Sequence, residues 1–156
     1  PIPVPSFPLP EKKFFKSGKL QSEIKWIDFI QLGGSRGWQR HGIKKEWYEN
    51  GQLRRELSLI TDIGREKEWN LCGGSRRHGT DKFWYENGQL FSVTKCINDI
   101  VRSIKCWYEC GQLKHEEIFI FARWGMHQQE DLHRGRIIEK NYYENGNLIN
   151  EIERDI

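Results

Sequence analysis

Apolar and polar positions alternate in short runs along most of this chain, and the runs are cut at regular intervals by a turn signal. The clearest stretch is WYENGQL at Trp47–Leu53. It returns as WYENGQL at Trp84–Leu90, WYECGQL at Trp107–Leu113 and YYENGNL at Tyr142–Leu148, with a looser FFKSGKL at Phe14–Leu20. Asn-Gly flanked by aromatic and branched or long side chains is a strong short-range hairpin signal. Each copy is therefore read as the tip of a β-hairpin. Two registers satisfy the pattern. A two-residue type I′ turn, the preferred one, pairs Tyr48 with Leu53. A type I turn with a bulged Gly shifts the pairing by one. The first puts Tyr48, Leu53, Leu57 and Leu59 on one face and Trp47 with Arg54 on the other. Ser17 and Cys110 replace the turn Asn and tolerate positive φ less well, so those two turns are expected to be looser by about 1 kcal/mol.

The motif glycines, Gly18, Gly51, Gly88, Gly111 and Gly146, are 33, 37, 23 and 35 residues apart. The shortest spacing fits one hairpin plus a return turn, and the longer ones read as that unit with loop-borne insertions. Two insertions resemble each other, Leu32–Gly42 and Leu71–Gly79, and both end in Arg-His-Gly. A third, around WGMHQQEDLHRG, has room for one helical turn. All five prolines lie in the first ten residues. A body without proline suits a chain made mostly of strands, because proline cannot donate a ladder hydrogen bond. Residues 1–13 are read as an extended arm and 14–156 as one repeat domain of about five units.

Composition sharpens this. The chain has 156 residues, with 37% hydrophobic, 30% charged and 13% aromatic residues. Its apolar material is few, large side chains, which suits a thin sheet with aromatic faces. Adjacent strand residues face opposite sides, so each unit offers an aromatic to both faces. One face then needs cover from the insertions, the arm, another sheet or a partner. The net charge of +3 does not by itself imply nucleic acid. No apolar run approaches the ~18 residues of a membrane span, and the N-terminal stretch lacks the apolar segment of a secretory signal. An intracellular, cytoplasmic setting with reduced thiols is expected, with incorporation in a virion as a further possibility.

Repeats of the form (W/Y)YENGQL separated by a glycine-bearing loop resemble the MORN repeat in its variant form, from Phe14 to about Glu151. The resemblance implies an all-β fold, with tandem hairpins forming an elongated, twisted antiparallel meander. It implies a mostly non-catalytic scaffold or binding module for proteins or membranes. Variant repeats occur in bacterial proteins described as antitoxins and in large DNA viruses. The long insertions depart from the family pattern and favour a partner-specific shape.

No catalytic, cofactor or metal constellation emerges. Cys72, Cys96, Cys106 and Cys110 form no close pair of the kind zinc knuckles use. Cys96 and Cys106 are expected to face each other across a hairpin returning near Asn98–Ser103, within reach of a disulfide if oxidised. His127 and His133 do not share a helix face and are read as a solvated loop. Glu49, Glu86, Glu109 and Glu144 recur at the turns, where nothing raises their pKa, and are read as solvated turn residues with a cross-strand partner such as Gln52 or Gln89. The Gly-Gly-Ser-Arg stretches at Gly33–Arg36 and Gly73–Arg76 lack the lysine and helix of a phosphate loop and are read as flexible loops.

The unrepeated parts carry the partner-binding candidates. Arg36, Arg40, Lys44 and Lys45 cluster in the first insertion, Arg76, Arg77 and Lys82 in the second, and Arg134 and Arg136 near the last. With Trp38, Trp69 and Trp124 they make the Arg/Trp mixture that interface hot spots use. The arm residues Ile2, Val4 and Phe7 join them, as a strap over a hydrophobic face, in preference to a Pro5-x-x-Pro8 ligand. The expected function is protein–protein interaction or scaffolding within a larger assembly such as a virion. The alternatives are an antitoxin-like inhibitor of a partner toxin, and binding of anionic lipid or nucleic acid through the basic insertions.

Overall fold

A computed structural model describes residues 11–31, 38–63, 76–124 and 129–156. Ten strands form one antiparallel sheet in chain order. They are β1 (Glu11–Phe14), β2 (Leu20–Gln31), β3 (Trp38–Trp47), β4 (Leu53–Ile63), β5 (Arg76–Trp84), β6 (Leu90–Ile97), β7 (Ile100–Trp107), β8 (Leu113–Trp124), β9 (Gln129–Tyr142) and β10 (Leu148–Asp155). The five motifs turn the chain at one end of the sheet, and the return connections lie at the other. Among the described strands, β1 and β10 are the two edges. β1 starts at Glu11, inside the segment expected to be arm. Residues 1–10, with Ile2, Val4 and Phe7, lie outside the described residues, as do Arg36, Trp69 and Cys72.

The motif turn is the bulged form, not the preferred two-residue one. The carbonyl of Tyr48 accepts from the Gly51 amide at 2.9 Å, and the Tyr48 amide donates to the Gln52 carbonyl at 2.9 Å. Gly51 takes φ +92°, while Asn50 stays outside the left-handed region. This is a type I turn closed by a left-handed glycine. Trp47 therefore pairs with Leu53, and a further irregularity pairs Glu46 with Arg55. Leu53 thus shares Trp47's face, and Arg54 lies over the Tyr48 ring at 5.8 Å. The expected sides of Leu53 and Arg54 are exchanged.

The asparagine acts through its side chain rather than through its φ. Oδ1 of Asn50, Asn87 and Asn145 accepts from the amides of Gln52, Gln89 and Asn147 at 2.9–3.0 Å. A thiol at Cys110 and a hydroxyl at Ser17 replace that acceptor, which is the physical cost at those two turns. A two-residue type I′ turn does occur, at the return end. Asn98 and Asp99 take φ 50° and 67° between the paired Ile97 and Ile100.

The described parts of what read as loop insertions, residues 38–42, 76–79 and 129–135, are strand. They lengthen the β2–β3, β4–β5 and β8–β9 hairpins at the return end. Gln129–Arg136 is strand and contains no helical turn, and His133 lies on β9 rather than in a loop. Arg76 is likewise the first residue of β5. The glycines Gly42, Gly79 and Gly135 explain the misreading, since each sits beside a break in strand register. A Cβ at Gly42 would stand 2.5 Å from the Trp26 ring, and one at Gly135 would collide with the Ile120 carbonyl. Close backbone approach at a bulge requires glycine there.

Burial is thin and central. Among the described residues the buried hydrophobic ones are Leu57, Leu59, Ile60 and Cys96, on β4 and β6. Cys96 pairs with Val101 and Gly79, and Cys106 with Ser92 and His115. The two thiols do not face each other, and Cys96, Cys106 and Cys110 are free.

Candidate functional site

The motif builds a repeated joint between neighbouring units. The hydroxyl of Tyr48 donates to the Trp84 carbonyl at 2.8 Å, Tyr85 to Trp107 at 2.9 Å and Tyr108 to Tyr142 at 2.9 Å. Each tyrosine thus holds the first motif residue of the next hairpin. Burial, then Glu109, pushes the Tyr85 hydroxyl above its ordinary range, so it remains a donor. The glutamine reaches the same way. A Cβ at Gly88, Gly111 or Gly146 would lie 3.3–3.7 Å from Oε1 of Gln52, Gln89 or Gln112. The first unit departs from the pattern. Phe15 has no hydroxyl, and Lys19 replaces the glutamine and donates to the Glu49 carbonyl at 2.8 Å.

Three residues beyond each motif leucine, a charge ladder crosses the whole sheet. The directly opposed residues run Lys12, Glu23, Lys45, Glu56, Lys82, Val93, Lys105, Glu116, Lys140, Glu151. Sign alternates strand by strand except at Val93. Ion pairs at 2.7–3.4 Å join Lys12–Glu23, Lys45–Glu56, Lys82–Glu56, Lys105–Glu116 and Lys140–Glu151. Burial pushes the Glu56 carboxyl up, but hydrogen bonds and charge from Lys82 and Lys45 bring it below its ordinary value. Lys44, Lys45 and Lys82, read as part of a basic stripe, are strand residues paired to Glu46 or Glu56. On the opposite face of the sheet from the ladder, Arg55 grips buried Asp81 with two bonds, Nε to Oδ1 at 2.8 Å and an Nη to Oδ2 at 2.7 Å. Its guanidinium also covers the Phe83 ring at 4.8 Å. Charge-assisted, bidentate pairing of this kind is among the stronger polar contacts a side chain makes.

Over the last two hairpins lies an open groove of about 570 Å³, lined among others by Phe91, Cys106, Tyr108, His115, Asn141 and Ile149. His115 and Asn141 are joined Nδ1 to Oδ1 at 2.8 Å. Asn141 donates in turn to Glu139 and Asn150, each at 3.0 Å. Burial raises the Cys106 thiol above its usual range. The polar chain holds orientation and leaves an apolar wall of Phe91 and Ile149, a surface suited to contact.

The sequence candidates fall in two places. Trp38 and Arg40 on β3, and Arg76 and Arg77 on β5, lie at the return end on either side of β4. Arg77 is committed there: its amide and Nε bind Oδ1 of Asp99, and its carbonyl accepts from the Asp99 amide. Next to it His78 meets Asn98 at 3.3 Å and lies 6.2 Å from His41, centroid to centroid. Trp124, at the end of β8, stands three strands away from β5. Glu49, Glu86, Glu109 and Glu144 are exposed. The groove and the ladder were not anticipated. The ladder's signal was the recurring Lys two residues before the first motif aromatic and Glu three after the leucine.

No curated protein and no solved structure matches the chain. The model of the MORN repeat variant matches residues 9–28, 40–59, 77–94 and 137–155. These stretches cover four of the five motifs, and the one left out carries Cys110, although its turn has the same backbone hydrogen bonds. Family members are non-catalytic repeat modules for protein or membrane interaction. No helix among the described residues is long and apolar enough to cross a membrane. With four matched repeats and ten strands in one open meander, the chain belongs to the MORN repeat variant family.

Proposed function

We propose that the protein is a non-catalytic interaction scaffold, serving as a structural component of a larger assembly such as a minor capsid or cement-type protein of a virion. The observation that carries the interaction reading is the exposure of the fifth unit. Tyr143, Leu148, Ile149, Ile152 and Ile156 are 43–55% exposed, and Ile149 lines the groove. Exposed apolar surface of this kind on a single sheet marks a contact region. The repeated motif supports the same reading, because its tyrosines, asparagines, glycines and glutamines are used in turning and joining hairpins. The return end, with Trp38, Arg40 and Arg76, is the second contact region.

The test is recovery of the chain from native material, with mass measurement of the complex. A fixed-stoichiometry complex that Ile149→Asp or the pair Trp38→Ala and Arg40→Ala depletes, without loss of folded β signal, is expected. A chain that carries no partner, or a complex indifferent to both sets of changes, would remove the scaffold reading.

A further inference from the structure

The two open edges of the sheet are complementary to each other. Every junction between units pairs the residue three beyond the motif leucine with the residue two before the next motif. These pairs are Glu23–Lys45, Glu56–Lys82, Val93–Lys105 and Glu116–Lys140. On β10 the position three beyond Leu148 is Glu151. On β1 the position two before Phe14 is Lys12. Three of the four internal junctions are thus glutamate against lysine, and the two edges offer the same pair.

The other parts of the joint are also present in halves. Tyr143 carries the hydroxyl that its equivalents Tyr48, Tyr85 and Tyr108 use to hold the next unit, and its side chain is 55% exposed. Phe14 stands where Trp84, Trp107 and Tyr142 offer the accepting carbonyl, and is 58% exposed. Strand direction agrees as well. In a ten-stranded meander β1 and β10 run oppositely, so β1 of another copy adds antiparallel to β10 without reversal.

We infer that β10 binds β1 of a second copy of this chain, so that the meander continues head to tail, with Glu151 against Lys12 and Tyr143 reaching the Phe14 carbonyl across the junction. The contact is heterologous, which gives a closed ring or an open filament rather than a two-fold dimer. It refines the scaffold reading by naming one partner.

Sedimentation velocity over a range of concentrations tests this on the full chain and on charge-reversed variants. The wild-type chain is expected to form species beyond a dimer as concentration rises. Glu151→Lys and Lys12→Glu are each expected to weaken association by roughly fivefold, because each puts like charges in register. The double variant, Lys12→Glu with Glu151→Lys, restores it, because the pair is re-formed with signs exchanged. Tyr143→Phe weakens association while leaving thermal unfolding of the monomer in place. A wild-type chain that stays monomeric overturns the inference and leaves the scaffold reading to the native-complex test. A dimer that Glu151→Lys weakens and Lys12→Glu does not would mean β10 pairing with β10, and also overturns it. So does a double variant no better than the singles.

Discussion

The third and fifth hairpins, β5–β6 and β9–β10, are built from nearly the same letters, WYENGQL and YYENGNL, yet they differ in almost every physical measure. Both close with the same bulged turn and the same Asn side-chain acceptor. The third unit has neighbours on both sides. Around it lie Leu57, Leu59, Ile60 and Cys96, with Asp81 gripped by Arg55. The fifth has a neighbour on one side, and all of β10 is exposed. The motif therefore sets the shape of a hairpin, and its neighbours set its stability. This is how a quasi-one-dimensional repeat array behaves.

Substitutions at matched positions sharpen the contrast. Leu57→Ala removes a buried side chain between two strands and is expected to cost about 3 kcal/mol, while Ile152→Ala on β10 costs under about 1 kcal/mol. Urea unfolding of both variants checks this, and equal losses would break the comparison. Next comes the central fork. Asp81→Asn leaves the Arg55 charge without its partner and is expected to cost about 2 kcal/mol. Glu153→Gln loosens a pair with Arg136 whose side chains are 51% and 55% exposed, and costs about 0.5 kcal/mol or less.

Tyrosine separates the joints from the end. Tyr85→Phe deletes the bond to Trp107 and is expected to destabilise the monomer by about 1 kcal/mol, whereas Tyr143→Phe leaves its unfolding unchanged. The smallest effect is a gain. Cys110→Asn supplies the missing turn acceptor and is expected to raise stability by about 0.5 kcal/mol, read as a small upward shift of the midpoint.

The pH response follows from the same centre. Glu46 and Glu56 are pushed up by burial but held below their ordinary value by lysine partners. A depressed carboxyl pKa contributes stability that is present above the unfolded value, about 4.3, and is lost as pH falls through the folded one. Acid titration followed by unfolding is therefore expected to show loss below about pH 4.5, with Glu56→Gln flattening the profile.

Much of this was legible in the sequence. The five turns, the all-β meander and the family follow from a motif whose letters are contiguous. The turn register did not, because Asn-Gly fits both a type I′ turn and a type I turn with a left-handed glycine, and Asn50 serves the second through its side chain. The strand extensions were hidden by Arg-His-Gly. Its glycine breaks alternation in the text while the strand continues through a bulge. The ladder was hidden by distance along the chain. Glu56 meets Lys82, 26 residues away, and that meeting exists only once the register is known. The groove residues Cys106, His115 and Asn141 converge for the same reason, from three strands.

Backbone hydrogen exchange, strand by strand and at a concentration where the chain is monomeric, tests most directly whether neighbours rather than motifs stabilise each hairpin. Slowest exchange in β4–β6, falling toward β1 and β10, is the expected result. Equal protection in β5–β6 and β9–β10 would contradict it, since hairpins sharing the motif would then be equally stable wherever they stand.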